Sequence, residues 1–128
     1  MVKNHLKRLN VPRSWAITKK SNTFVTRPES SGHVIDNCIS LNVVLRDLLK
    51  IGKISKEIKH ILHNNDVLVN GKRKKDIKSS IGFMDLLEIK QLKETYRILL
   101  DRKGKLKPFK VSSQDNNLLL KVKNKSLI

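Results

Sequence analysis

The stretch from Leu41 to Ile89 constrains the fold more than any other part of the chain. Leu41, Val44, Leu45, Leu48 and Leu49 recur at helical spacing and form one apolar stripe, which Gly52 is expected to end. A second apolar set, Ile58, Ile61 and Leu62, follows Ser55, whose hydroxyl oxygen suits a helix N-cap. The second helix is expected to leave through Asn64 and Asn65, residues that tolerate a left-handed exit. Val67, Leu68 and Val69 are strand formers, and Asn70-Gly71 is a strong signal for a two-residue hairpin turn. Lys72, Arg73, Lys74 and Lys75 stand just beyond that turn.

The remaining sequence adds strands. Phe83 to Ile89 reads as a strand closing the small sheet. Tyr96 to Leu100 and Leu106 to Val111 read as a pair around the turn Asp101-Arg102-Lys103-Gly104. Pro108 places the returning strand at an edge, because proline brings no N–H to a ladder. Leu118 to Val122 is a further strand candidate. The pattern predicts an α+β fold in which two helices pack on a short antiparallel sheet. A basic, extended N-terminal segment precedes this unit, and a partial β region follows it. The expected divisions are 1–39, 40–90 and 91–128.

Charge narrows the function. The chain carries 28 Lys plus Arg against 11 Asp plus Glu, a formal net charge of +17. Self-repulsion of that size weakens a free compact chain, and a polyanion relieves it, so nucleic acid is the expected partner. From Met1 to Arg27 there is no acidic side chain. The segment has few apolar groups and is expected to be mobile when free and to order against RNA. Trp15 either anchors it on the globular part or stacks on a base, and the neighbouring Pro12 favours anchoring.

Chemistry of other kinds finds little support. Cys38 is the only cysteine. It rules out an internal disulfide, points to a reducing compartment, and reads as a buried small hydrophobe rather than an activated thiol. His60 and His63 lie three apart without supporting ligands, so no metal site is expected. The five glycines are not clustered into a phosphate loop, no cofactor is implied, and no enzyme is expected. No run approaches the roughly 18 apolar residues of a membrane span.

Several motifs together resemble a known family. Leu45-Arg46-Asp47, Glu57-Ile58-Lys59, Val67 to Lys72 and Gly82-x-x-Asp85-x-x-x-Ile89 are similar to the small RNA-binding module named after ribosomal protein S-four. His5 to Leu9, Pro12, Trp15, Lys19 and Gly32-His33 narrow the likeness to the archaeal and eukaryotic small-subunit family called S-four-e. Ser31 and Ser40 stand where that family usually has proline, and Ile54 stands where it often has a capping threonine. The resemblance implies a structural constituent of the small ribosomal subunit, cytoplasmic with the ribosome, that binds ribosomal RNA beside neighbouring subunit proteins. Family members continue well beyond this length, which raises a separately encoded C-terminal half as a further expected partner. A free-standing factor in ribosome assembly or rescue, or the RNA-recognition subunit of a modifying enzyme, are the alternatives.

The candidate RNA-binding residues are Lys7, Arg8, Arg13, Lys19 and Lys20 in the N-terminal segment, and Arg46, Lys50, Lys53, Lys56, Lys59 and His60 along the helices. Lys72, Arg73, Lys74, Lys75 and Lys78 follow the hairpin turn. Arg46 and Lys50, at i and i+4, are expected on one helical face. The amides near Ser55 and Lys56 suit a phosphate. Lys outnumbers Arg three to one and only five side chains are aromatic. Recognition of backbone and shape is therefore expected over stacking on single strands.

Overall fold

The computed structural model describes residues 4–112, 114 and 116–128. It has the expected mixture of helices and antiparallel sheet. Strands β1 (Leu6–Lys7) and β2 (Phe24–Val25) form a short ribbon. Strand β3 (Cys38–Ser40) leads directly into α1 (Leu41–Val43), and α2 spans Ser55–Asn64. Strands β4 (Val67–Val69), β5 (Lys72–Arg73), β6 (Ser80–Gly82), β7 (Leu86–Ile89), β8 (Glu94–Leu100) and β9 (Leu106–Val111) complete the order. β3 pairs with β6, while the main sheet runs β5-β4-β7-β8-β9, antiparallel throughout.

The first helix is shorter and wider than its stripe predicts. α1 passes at once into a π-type turn over Val44–Leu48, closed by the Leu49 N–H on the Val44 carbonyl at 2.9 Å. Leu41, Val43, Val44 and Leu45 are all buried, so this segment is enclosed on every side rather than along one stripe. Lys50, at φ 55°, turns the chain out of the helical segment before Gly52, which was expected to end it. Gly52 serves a close approach instead, because a β-carbon there would lie 2.7 Å from Ile58 Cδ1.

Two further details of α2 differ from expectation. Ile54 holds the N-cap position and has no acceptor, so Glu57 reaches back to accept from the amides of Lys53 (2.7 Å) and Ile54 (3.4 Å). Ser55 is thereby freed for other partners. At the other end Asn65 is extended (φ −117°, ψ 154°) and its side chain accepts from Gln91 at 2.6 Å, so no left-handed residue is used. Ile58 and Leu62 are fully buried, each contributing about 1.5–3 kcal/mol, whereas a surface i,i+4 pair contributes only a few tenths. Packing, not local pairing, holds α2.

The hairpin forms as its sequence requires. Asn70 (φ 52°) and Gly71 (φ 80°) both occupy the left-handed region, which a two-residue turn of the favoured hand demands. Leu86 to Ile89 pairs with both β4 and β8, but the strand does not start at Phe83, since Met84 turns the backbone at φ 69°. β9 is the sheet's outer strand, as Pro108 indicated. Leu118 to Val122 forms no strand, and Leu119, Leu120 and Val122 are exposed.

The N-terminal segment docks on the core, in line with the anchoring reading of Trp15 and more extensively than its few apolar groups suggested: Val11, Trp15 and Val25 join the same buried cluster as Ile39, Leu45, Ile58, Leu87, Ile98 and Leu106. Trp15 is 1% exposed and bridges to Leu106, whose amide donates to the Ser14 carbonyl at 2.7 Å. Residues 91–111 likewise extend the main sheet, and Ile98 and Leu106 are fully buried. One core thus crosses positions 39 and 90, where divisions were expected. The one-signed segment is held because a few apolar side chains find a ready surface, and each large one buried outweighs a screened surface repulsion.

Three motifs that are far apart in sequence meet at Asp85. Its Oδ2 accepts from the Gly82 amide (2.8 Å) and lies 3.2 Å from His33 Nε2, and its Oδ1 accepts from Asn70 Nδ2 (3.0 Å). Asn70 Oδ1 in turn accepts from the Leu86 amide at 2.9 Å. The His33 ring covers Gly82 so closely that a β-carbon there would fall 2.3 Å from it.

Two measurements check this packing. Trp15→Ala should lower unfolding free energy by about 3–5 kcal/mol in urea denaturation, the usual range for a buried large aromatic, and should expose residues 4–27 to protease. Gly82→Ala should displace the His33 ring and destabilise the fold by about 1–3 kcal/mol. His33→Ala in the same chain should recover part of that loss, a non-additivity that a double-mutant cycle reads directly.

Candidate nucleic-acid interface

The acidic side chains are spent largely on the protein itself. Asp47 lies 3.2 Å from Arg46 and 3.8 Å from Arg8, Asp66 pairs with Arg73 at 3.2 Å, and Glu94 pairs with Lys110 at 2.8 Å. Glu57 and Asp85 serve backbone amides as described, and Asp76 accepts from the Lys78 amide at 2.9 Å. Asp101 accepts from the amides of Lys103 and Lys105 and pairs with Lys107 at 3.0 Å. The Lys105 amide first, then Lys107, hold its carboxyl down to about 2. Hydrogen bonds from Lys110 and then Tyr96 likewise lower that of Glu94, while burial and then Glu94 push Tyr96 up to about 12.

Most of the lysines remain for solvent. Lys53, Lys56, Lys59 and His60 are exposed on α2 and its approach, and Lys72 and Lys75 on and after β5. Among the described residues none of these lysine ammonium groups has an ion-pair partner. Arg73 joins the two elements, its Nη2 donating to the His63 carbonyl at 3.1 Å while its Nε meets Asp66. The basic hairpin is therefore fixed against the C-terminal end of α2. Lys74 is half-buried, and Lys50 is exposed at the end of the π-type turn, not on a face shared with Arg46.

A second basic group lies elsewhere. Lys19 and Lys20 are exposed after Ala16 to Thr18, which line a cleft with Arg102, Lys103, Lys105 and Lys107 of the β8–β9 turn. This grouping follows from Trp15 docking beside Leu106. Arg102, Lys103 and Lys105 were not singled out by sequence, although the turn that presents them was legible there.

A third group surrounds a cleft of about 350 Å³ between the β1–β2 ribbon and the start of α2. Arg27, Arg46 and Lys78 line it with Ser55. Lys7 is exposed on β1 and Arg13 in the loop that follows. His5, Phe24 and Arg27 were likewise not among the expected residues; an aromatic next to cations in an acid-free segment was the available signal.

Two candidates are structural. Arg8 is 2% exposed, donates to the Thr18 carbonyl at 3.1 Å and faces Asp47, so its guanidinium holds the N-terminal segment in place. Arg46 is half-buried, donates to Ser55 Oγ at 2.9 Å and contacts both Asp47 oxygens. Asn42 donates to the same Ser55 oxygen at 3.0 Å, and to Thr26 at 2.6 Å. Helical spacing for Arg46 and the one-signed segment for Arg8 suggested RNA-binding cations, but each is placed where a carboxylate and further oxygens await a rigid, multiply donating group.

Cys38 is buried, and burial, with Asp85 and then Asp36 nearby, pushes its thiol up, the opposite of activation.

Comparison with known proteins agrees with this architecture. The family model described as the RS4NT (NUC023) domain matches residues 2–36. Small ribosomal subunit protein eS4 of Methanosphaera stadtmanae is 37% identical over 127 residues, covering 98% of this chain and 53% of its own length. That of Methanocella arvoryzae is 42% identical over 105 residues, 82% of this chain and 45% of its own. The chain thus spans about half the length of the curated relatives it matches. The crystal structure of the 30S ribosomal protein S4e from Thermoplasma acidophilum superposes with a TM-score of 0.53 at 33% identity, covering 63% of this chain and 41% of that one. Identity of this order, sustained from the N-terminal segment through the main sheet, makes the chain similar to small ribosomal subunit protein eS4 over about half of that protein's length.

Proposed function

We propose that the chain is a constituent of the small ribosomal subunit that binds ribosomal RNA through the lysines of α2, the β4–β5 hairpin and the N-terminal segment. The observation that carries this reading is the division of charge. Most carboxylates are engaged within the fold, while Lys53, Lys56, Lys59, Lys72 and Lys75 stand exposed without ion-pair partners among the described residues. A surface so arranged repels itself in isolation and gains when phosphates supply the missing counter-charges.

Lysine suits this task. Its ammonium is a point charge on a flexible stem, able to meet phosphates of a folded RNA without the planar fork that reads a base edge. The hairpin and α2, locked together by Arg73, present a fixed spacing of charges, which recognises backbone shape. The names of the relatives place their proteins in the small subunit, and this chain is assigned the same setting, in the cytoplasm beside other subunit proteins.

The test is a salt titration of binding to small-subunit ribosomal RNA. Replacing Lys56, Lys59, Lys72 and Lys75 with Ala should reduce the slope of log affinity against log salt by up to about 0.9 for each phosphate no longer neutralised, with the melting temperature little changed. An unchanged slope would remove α2 and the hairpin from the interface. Co-sedimentation reads the setting separately: the protein should remain with small subunits in stoichiometric amount after a high-salt wash.

A further inference from the structure

Phe24 is an exposed aromatic ring with no part in the core. It is 54% exposed on a two-residue strand, while its neighbour Val25 points into the interior. An isolated exposed apolar side chain needs no explanation. Phe24, however, is not isolated. The ring of His5 stands against it, centroids 5.7 Å apart and tilted by 50°. Both rings line the cleft between the β1–β2 ribbon and the start of α2, and no carboxylate lines it.

The rest of the cleft is positive and polar. Arg27 and Lys78 line it, and among the described residues neither side chain has a hydrogen-bond or ion-pair partner. Arg46 and Ser55 form a fixed wall, tied to each other and, through Arg46, to Asp47. The volume, about 350 Å³, falls at the lower end of the range of small-ligand clefts, about 300–1,000 Å³. An apolar ring face beside unengaged cations matches a nucleotide, whose base offers a π-face and whose phosphate offers negative charge.

We propose that this cleft takes one unpaired nucleotide of the bound RNA, its base stacked on Phe24 against His5 and its phosphate held by Arg27 and Lys78. The proposal rests on the reading of the chain as an RNA-binding protein, and adds to it a site that recognises an unstacked base where the lysine surfaces recognise backbone. Duplex RNA keeps its bases stacked within the helix and has none to offer. A bulge or loop does.

Two RNAs with equal numbers of phosphates separate the possibilities: a stem with one bulged 2-aminopurine, and a fully paired stem. With the full chain, binding of the bulged RNA should quench or shift 2-aminopurine emission. Phe24→Ala should weaken that RNA by on the order of 10- to 100-fold, the range of a single base–aromatic stack, leaving the paired stem and both salt slopes unchanged. Phe24→Trp should retain the binding. Arg27→Ala with Lys78→Ala should instead flatten the salt slope for the bulged RNA. Equal losses on both RNAs for Phe24→Ala, or none on either, would overturn the nucleotide site while leaving RNA binding standing. Failure of the unaltered chain to bind either stem would overturn the RNA reading and this site with it.

Discussion

The carboxylate of Asp85 accepts from the Gly82 amide and the Asn70 side chain and faces the His33 ring, so a linker, a hairpin turn and a strand corner share one charged group. Hydrogen bonds to a charged group are worth about 1.5–3 kcal/mol each, and here the acceptor is largely shielded from water. What depends on it is position. Asn70 opens the turn that aims Lys72 and Lys75 outward, and it also bonds the Leu86 amide at the start of β7. The basic hairpin is therefore referenced to the centre of the main sheet at one end and, through Arg73, to α2 at the other. Recognition by shape requires such fixed spacing, since a mobile lysine loses more freedom on each phosphate it meets.

Much of this was legible in sequence where a local rule and a tertiary need coincide. The Ile58 and Leu62 repeat, the Asn70-Gly71 turn, the β8–β9 pair and the edge strand marked by Pro108 all follow from periodicity and backbone chemistry alone. The N-terminal segment was legible only in part: Trp15 beside Pro12 pointed to anchoring, but a composition dominated by charge hid the part that Val11 and Val25 take in the core. Arg8 and Arg46 were illegible for a related reason: a sequence shows that a side chain is cationic but not that a carboxylate at Asp47 is turned towards it. Ser55 had the chemistry of a cap, yet Glu57 reaches the free amides and Ser55 accepts from Asn42 and Arg46. Leu118 to Val122 had strand composition without a neighbouring ladder, and composition alone does not make a strand.

The candidate interface combines legible and illegible parts in the same way. Lysines on α2 and past the hairpin turn were expected and are exposed. The grouping of Lys19 and Lys20 with the β8–β9 turn, and of Phe24 and His5 with Arg27 and Lys78, arises only because the N-terminal segment is folded against the core. Internal use of the acids has a further effect. With most carboxylates committed, cations dominate the exposed charge, so the free chain should be sensitive to ionic strength.

The outer strand β9 bears on what happens before any partner arrives. A sheet edge is a row of open backbone groups, and strand addition there would join one copy of the chain to another. Pro108 withholds an N–H in the middle of that row, the Leu106 amide is already taken by the Ser14 carbonyl, and Lys107 and Lys110 stand on either side in ion pairs with Asp101 and Glu94. Colloidal behaviour is thus written into the same strand that completes the fold: newly made chains meeting at high concentration find an edge that propagates a ladder poorly.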